Sequence, residues 1–396
     1  MTDGSIPTAG SIENFTEQRV MRSVDELIIN SDFNVDATLI HAYGGLMGAS
    51  AALSWGMRYP SVLSGVYASK PLTNFPSSTR FQEELVILWG SQADNLPTVN
   101  AGPHSADIRS YEVGVWDWMN HQQQLVERRG DTFAYLMTSH GKADTVTDWQ
   151  TQGRPLVRAF TDANAGFSAR YDGSGAFAWS NFDSVVNSLF GLGSNGNFEW
   201  MYPVDLSYPA IQNASGSSAA DPLNSGVDTY NLNIEWATPH TPFDTSIVDE
   251  SDRYEITLRS TDTAQTADIT PRRTQLFSVN AGGECAWSTT DRNGSLLIGT
   301  GVVTADSDSL ITVTDVAIGT GIGTRLVIDC SGEPLVADDV PVAVADNATV
   351  ENLGTVIIDV VENDEHVADG STIAFVTLPS AGTCLLYTSP SPRDRG

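Results

Sequence analysis

The stretch LIHAYGGLMGASAALSWGMRYP, residues 39–60, narrows what this chain can build more than any other. The run ATLIHAYG carries no turn residue before its glycine and reads as a strand buried on both faces. Glycines at 44, 45 and 48 then demand a tight turn, and ASAALSWGMRYP continues as a helix that Pro60 stops. A strand that passes through such a turn straight into a helix belongs in a layered fold. The residue at the tip of the turn is Leu46.

The flanking segments agree with that reading. TEQRVMRSVDELIIN sets Val20, Met21, Val24, Leu27 and Ile28 at helical spacing, with Thr16 and Glu17 opening the helix. VLSGVYASKP is the next strand, DTFAYLMTSHG a further one, TQGRPLVRAFTDAN a helix and GFSARYD a short strand. Between about 74 and 130 lies an insertion with the aromatic stretch YEVGVWDWMNHQQQLVERR, expected as one lid helix. Alternating strands and helices predict an α/β domain with a parallel sheet over residues 1–212.

From about Asp228 the pattern changes to period two. RYEITLRS, QLFSVNA, SLLIGTGVVTA, SLITVTDVAI and GTRLVIDC predict an all-β sandwich over 225–332, after the linker NASGSSAADPLNSG. Cys330 shares strand parity with Leu326 and Ile328, and Cys285 with Trp287, so both thiols are expected in the sandwich core, joined by a disulfide across the two sheets.

YGGLMGASAAL followed by SWGMRYPSVLSGVYAS resembles α/β-hydrolases of the prolyl-oligopeptidase and esterase-like group, in which the turn reads Gly-Gly-Ser-Met-Gly. The resemblance implies a serine hydrolase of ester or peptide bonds, with Leu46 standing at the nucleophile position and the Met47 N–H as oxyanion donor. LMTSHGKADTVTDW resembles the loop that carries the triad acid, which assigns that role to Asp144. The triad histidine is implied near 176, in SARYDGSGAFAWSNF, where the chain has Ala176. Six histidines occur, at 41, 104, 121, 140, 240 and 366, and none falls between 141 and 239. Without a nucleophile or a base, a copy of this kind is inactive unless codons 46 and 176 are misread; the competing expectation is a hydrolase-fold module kept for binding or adhesion.

Other residues were weighed against that site. Trp116, Trp118, Trp149 and Trp179 are candidate substrate contacts, with core packing as the plainer role. Ser50 as nucleophile requires the strand to run on through GGLMG, which its glycines oppose. Ser139, His140 and Asp148 are expected to orient Asp144, and His240 to lie in a loop. No His/Cys spacing suggests a metal, and GLGSNGN lacks the strand and lysine of a phosphate loop.

Residues 338–383, with PVAVADNATV, IIDVVEND and LPSAGT, resemble the start of a bacterial Ig-like or cadherin-like repeat, a class found in secreted and cell-surface proteins. Nine acidic residues between Asp338 and Asp369 make calcium a possible cofactor there, and no other cofactor is expected. The terminal CLLYTSPSPRD, 384–394, looks like a translated sequencing adapter, so 384–396 is set aside. With only 45 residues before Leu46, hydrolase strands and any export signal are expected to lie upstream of this chain.

Charge excludes one class of partner. The chain has 49 Asp and Glu against 20 Lys and Arg, a net charge of −29, with 27 acidic and 6 basic residues in 201–383. Such a surface repels nucleic acid and anionic membranes. No run is long and apolar enough for a membrane helix; the hydrolase resemblance implies an ester or peptide substrate as partner.

Overall fold

The structure is a computed structural model that describes residues 5–99, 102, 104, 113–175, 203–219, 226–237, 247–294 and 296–332. The chain divides into two compact units, Met1–Leu335 and Val336–Gly396. The second unit, with the expected Ig-like repeat and its acidic residues, lies outside the described residues.

The first part runs β1 (Ile12–Glu13), α1 (Phe15–Ile29), β2 (His41–Gly45), α2 (Met47–Arg58), β3 (Gly65–Ser69), α3 (Gln82–Trp89), β4 (Thr98–Val99), α4 (Val115–Trp118), α5 (His121–Glu127), β5 (Tyr135–Gly141), α6 (Arg154–Asp162) and β6 (Phe167–Asp172). A sheet of order β2-β3-β5-β6 is parallel throughout. β5 is buried along its whole length at the centre, whereas β2 is an edge strand with Tyr43 exposed, so the expectation of a strand covered on both faces fails there. One face of the sheet, with Val66, Ala68 and Leu136, packs on Leu53 and Met57 of α2 and Leu156 and Val157 of α6. Burying each of these helix side chains is worth roughly 1.5–3 kcal/mol. Gly56 lets α2 approach, since a Cβ there would stand 2.8 Å from both Val66 methyls.

Helix α1 opens one residue earlier than expected: Asn14 is the cap, and its side chain accepts from the Glu17 N–H at 3.1 Å. Of the apolar residues at helical spacing Met21 is fully buried, while Leu27 remains exposed. The expected lid helix is instead two short helices, because α4 ends at its cap Met119 and Asn120 opens α5 by accepting the Gln123 N–H. A π-helical turn, Trp149–Gly153, precedes α6.

The second part contributes β7 (Tyr208–Gln212), β8 (Asp228–Tyr230), β9 (Ile234–Trp236), β10 (Val248–Asp249), β11 (Arg253–Ser260), β12 (Gln265–Arg272), β13 (Glu284–Asp291), β14 (Leu297–Thr304), β15 (Val313–Ile318) and β16 (Thr324–Asp329). They form two antiparallel sheets, β10-β11-β16-β13-β14 with β9 beside β11, and β15-β12-β7. The expected strand QLFSVNA is not one. Asp249 accepts the N–H groups of Gln275, Leu276 and Phe277 and holds that segment as a loop.

The expected division at 212–225 does not separate the sheets. β7, placed before it, pairs with β12 inside the sandwich, and β8, placed after it, pairs antiparallel with β6 and extends the parallel sheet. The second face of that sheet, Tyr67, Tyr135 and Met137, shares a core with Trp236, Tyr254, Ile269 and Leu326. A parallel sheet needs both faces covered, and here helices cover one and the sandwich the other. Arg273 fastens the junction by donating to the carbonyls of Ser64, Pro203 and Leu206 at 2.9 to 3.0 Å.

Cys285 and Cys330 are bonded, with Cα atoms 4.2 Å apart. The bond does not span the two sheets. Ala286 of β13 is paired with Asp329 of β16, so Cys285 faces Cys330 just past the end of the neighbouring strand in one sheet.

Candidate functional site

The carboxyl ends of β2, β3, β5 and β6 come to one side of the sheet, the side on which parallel α/β folds place their sites. Leu46 links β2 to α2 at φ 54°, ψ −116°, a backbone region that L residues rarely adopt. Its N–H donates to Ser69 O at 2.9 Å, which ties the tip of the turn to the end of β3. A Cβ on Gly44 would stand 2.1 Å from Gly48 O, so the strand end and the first helical turn touch through backbone alone. Gly48 has open space around it and is not required in the same way. Met47 is the first residue of α2, where an N–H has no acceptor within the helix.

Asp144 sits in the loop after β5 and is 3% exposed. Its Oδ1 accepts the N–H groups of Val146 and Thr147 at 2.7 and 3.0 Å, and its Oδ2 accepts the Thr147 hydroxyl at 2.9 Å. His140 acts on it indirectly: its Nε2 donates to Thr147 O at 2.7 Å, leaving Nδ1 as an acceptor. Burial drives the His140 pKa down to about 4, against the opposing effects of the Thr147 bond and Asp144. Asp148 caps the π-helical turn through Thr151 and makes no bond to Asp144.

Lys70 ends β3 in a left-handed conformation, φ 59°, and its ammonium donates to Gly175 O. Burial lowers its pKa, while Asp144 and Asp172 pull the other way, so the cation lies within the field of both carboxylates. The loops after β5 and β6 touch where a Cβ on Gly141 would stand 2.1 Å from Ser174 O. Leu46 after β2 and Asp144 after β5 thus both lie at the carboxyl ends of the parallel strands. Ala176 and Trp179 lie outside the described residues, as does His240.

Ser50 is inside α2 and 2% exposed; its hydroxyl donates to Leu46 O and accepts from the Leu72 N–H, a packing role. Trp116 and Trp149 are both buried in this arrangement. Trp116 is buried against Trp89 and donates to Gly90 O, and Trp149 packs between His140 and Tyr171. Trp118 does line a cavity of about 570 Å³ between α1, α2, α3 and α4, with Phe15, Met47, Trp55, Phe75 and Trp89. Sequence reasoning missed this cavity and the buried pair of Arg58 and Glu17 in its wall. The available signal was an arginine on the buried face of an otherwise apolar helix.

Among the described residues no helix is long and apolar enough to cross a membrane, and no group of three or more His, Cys, Asp or Glu is placed to hold a metal. No family profile and no curated protein matches the chain. Among solved structures, 38% of the chain aligns with 18% of a protein described as a dipeptidyl aminopeptidase IV from Bacteroides ovatus, at 16% identity and TM-score 0.26. For the dipeptidyl peptidase 4 of Porphyromonas gingivalis the shares are 46% and 21%, at 14% identity and TM-score 0.27. The chain thus spans about a fifth of the length of these proteins. Similarity at that level assigns neither family nor activity, and the site is read from its own geometry.

Proposed function

We propose that residues 5–332 are an α/β-hydrolase-type domain of serine-hydrolase descent that no longer forms an acyl-enzyme. The observation that carries the reading is the backbone of Leu46. A strained residue between a parallel strand and a helix is the arrangement that displays a nucleophile above a sheet. Asp144 at the end of β5 takes the place of the acid, and Met47 N–H that of an oxyanion donor. Leucine offers no hydroxyl or thiol, so the covalent step is absent. What such a domain keeps is recognition of ester or peptide substrates, in a binding or adhesion role.

Restoration tests this. Leu46→Ser alone should gain little labelling by a fluorophosphonate, because no imidazole takes its proton; Leu46→Ser with Ala176→His should gain more. Equal failure of both variants, each folded, would count against the assignment of the site.

A secreted or cell-surface location belongs to the same reading, supported by the acidic surface and the Cys285–Cys330 bond. Calcium binding by residues 338–383 is a separate part of it. Calorimetry on the longer protein showing neither heat nor a thermal shift with Ca²⁺ would end that part.

A further inference from the structure

One arginine near the carboxyl ends of the parallel strands has no partner among the described residues. Arg170 sits in β6 between Ala169 and Tyr171, which point into the core shared with the helices. Side chains alternate along a strand, so Arg170 stands on the opposite face, toward the sandwich. It shares a row there with Ser69 of β3, Ser139 of β5 and Thr229 of β8, and Gly45, the residue before Leu46, closes the row on β2. Arg170 is half-buried, and among the described residues its side chain makes no hydrogen bond and no ion pair; its Nε is sealed from solvent. The terminal nitrogens are not sealed in that way, so the fork of the guanidinium is the part left open to a ligand. Cations this far out of water are rarely left without an acceptor.

The groups around it show which acceptor fits. In the row, the Ser139 hydroxyl is bonded to Tyr67 at 2.8 Å and donates to Ser69 at 3.0 Å. Burial pushes the Tyr67 phenol up to about 12, so this chain of hydroxyls stays neutral. Asp172, two residues along the same face, accepts the Ser174 N–H at 2.9 Å. Asp144 and Asp172 both act on Lys70, whose ammonium donates to Gly175 O, and Lys142 is bonded to Asp228. Arg170 is thus left with no carboxylate of its own among the described residues. A planar carboxylate matches the guanidinium fork through two parallel bonds and cancels its single charge. A dianion such as phosphate would keep one charge in the field of Asp172 and Asp144. We infer that Arg170 takes the carboxylate of a ligand lying across the strand ends, and that this ligand is a peptide with a free C-terminus. Three strand spacings of about 4.8 Å separate Gly45 from Arg170, about 14 Å in all or the length of about four extended residues. The inference rests on the reading of this domain as one that recognises peptides.

The test compares acetylated tetrapeptides of mixed sequence, prepared once as C-terminal acids and once as C-terminal amides, by the fraction of each set that the full chain retains. The acids should be retained about tenfold better than the amides, or more. Arg170→Met should abolish that difference and leave the amides unaffected. It should not lower the melting temperature, because it breaks no bond within the described chain. Arg170→Lys keeps the charge without the fork and should preserve only part of the difference. Benzoate should displace the acids more effectively than phenyl phosphate at pH 8. Equal retention of acids and amides overturns this inference alone, as does a difference that survives in Arg170→Met or stronger displacement by phenyl phosphate. Retention of neither set overturns it together with the peptide reading of the domain.

Discussion

Gly44 lies so close to the carbonyl of Gly48 that a Cβ on it would stand 2.1 Å from that oxygen. The contact is backbone against backbone, with no flexible side chain to yield. Gly44→Ala should therefore force the turn apart and cost about 2–3 kcal/mol or more, seen as a lower urea midpoint. Gly48→Ala meets nothing within 4 Å and should be neutral or stabilising by up to ~1 kcal/mol, since alanine is the better helix former. Equal loss in both variants would show that the contact does not shape the turn.

The positive φ of Leu46 predicts the opposite response at the neighbouring position. Leu46→Gly relieves a conformation worth about 1–3 kcal/mol of strain, offset by the greater freedom of glycine in the unfolded chain. A net gain of about 1 kcal/mol is expected in urea titration. A clear loss would mean that the leucine side chain packs well enough to repay its backbone.

Two buried imidazoles set the acid side of the stability profile. The folded pKa values of His121 and His140, about 3 and about 4, lie below the ordinary value of 6.5. The unfolded chain therefore takes up protons first as pH falls below 6.5, and stability drops until the folded values are reached. Each histidine contributes about 1.4 kcal/mol per pH unit in that window, so about 4 kcal/mol should be lost between pH 7 and pH 5. His121→Phe, beside Phe75, should remove about half of that slope. An unchanged slope in urea midpoints measured at pH 7, 6 and 5 would refute the burial of His121.

The Cys285–Cys330 bond closes a loop with a sequence separation of 45. Constraint of the unfolded chain by a loop of that length is worth about 4 kcal/mol. Reduction should lower the melting temperature, and peptide mapping without reductant should find the crosslinked pair; two freely alkylated thiols would contradict the structure.

Strand exchange between the two halves makes them depend on each other. Residues 1–212 produced alone lack β8, and 225–332 alone lacks β7, an outer strand of its three-stranded sheet. Neither fragment should melt cooperatively, whereas 5–332 should. A cooperative transition for 225–332 by itself would restore the simple boundary at 212–225.

These outcomes also mark what the sequence could and could not disclose. The glycine pattern around Leu46 was legible because a tight turn leaves a local signature, and β5 was legible as a strand from DTFAYLMTSHG, though its burial along the whole length needed the fold. β12 escaped notice since QTADITPR is polar and carries Pro271, which faces Pro209 of β7 where no N–H is needed. The exchange of β7 and β8 is a long-range pairing with no local trace. The cavity was invisible for the same reason: its wall is assembled from α1, α2, α3 and α4, and Met47, Ser50 and Trp118 among its residues had been singled out for other roles and not as one group. Asp144 was placed by its loop motif, while the bonds that orient it through Thr147 and His140 needed the fold.

The central claim is that a nucleophile turn has been kept while its nucleophile has been lost. The most direct measurement is fluorophosphonate labelling of the unaltered, folded protein, followed by mass spectrometry of its peptides. The account predicts no adduct on any serine and no ester turnover above the buffer rate. A stoichiometric adduct, at Ser50 or at any other serine, would contradict it and place the active site elsewhere in the chain.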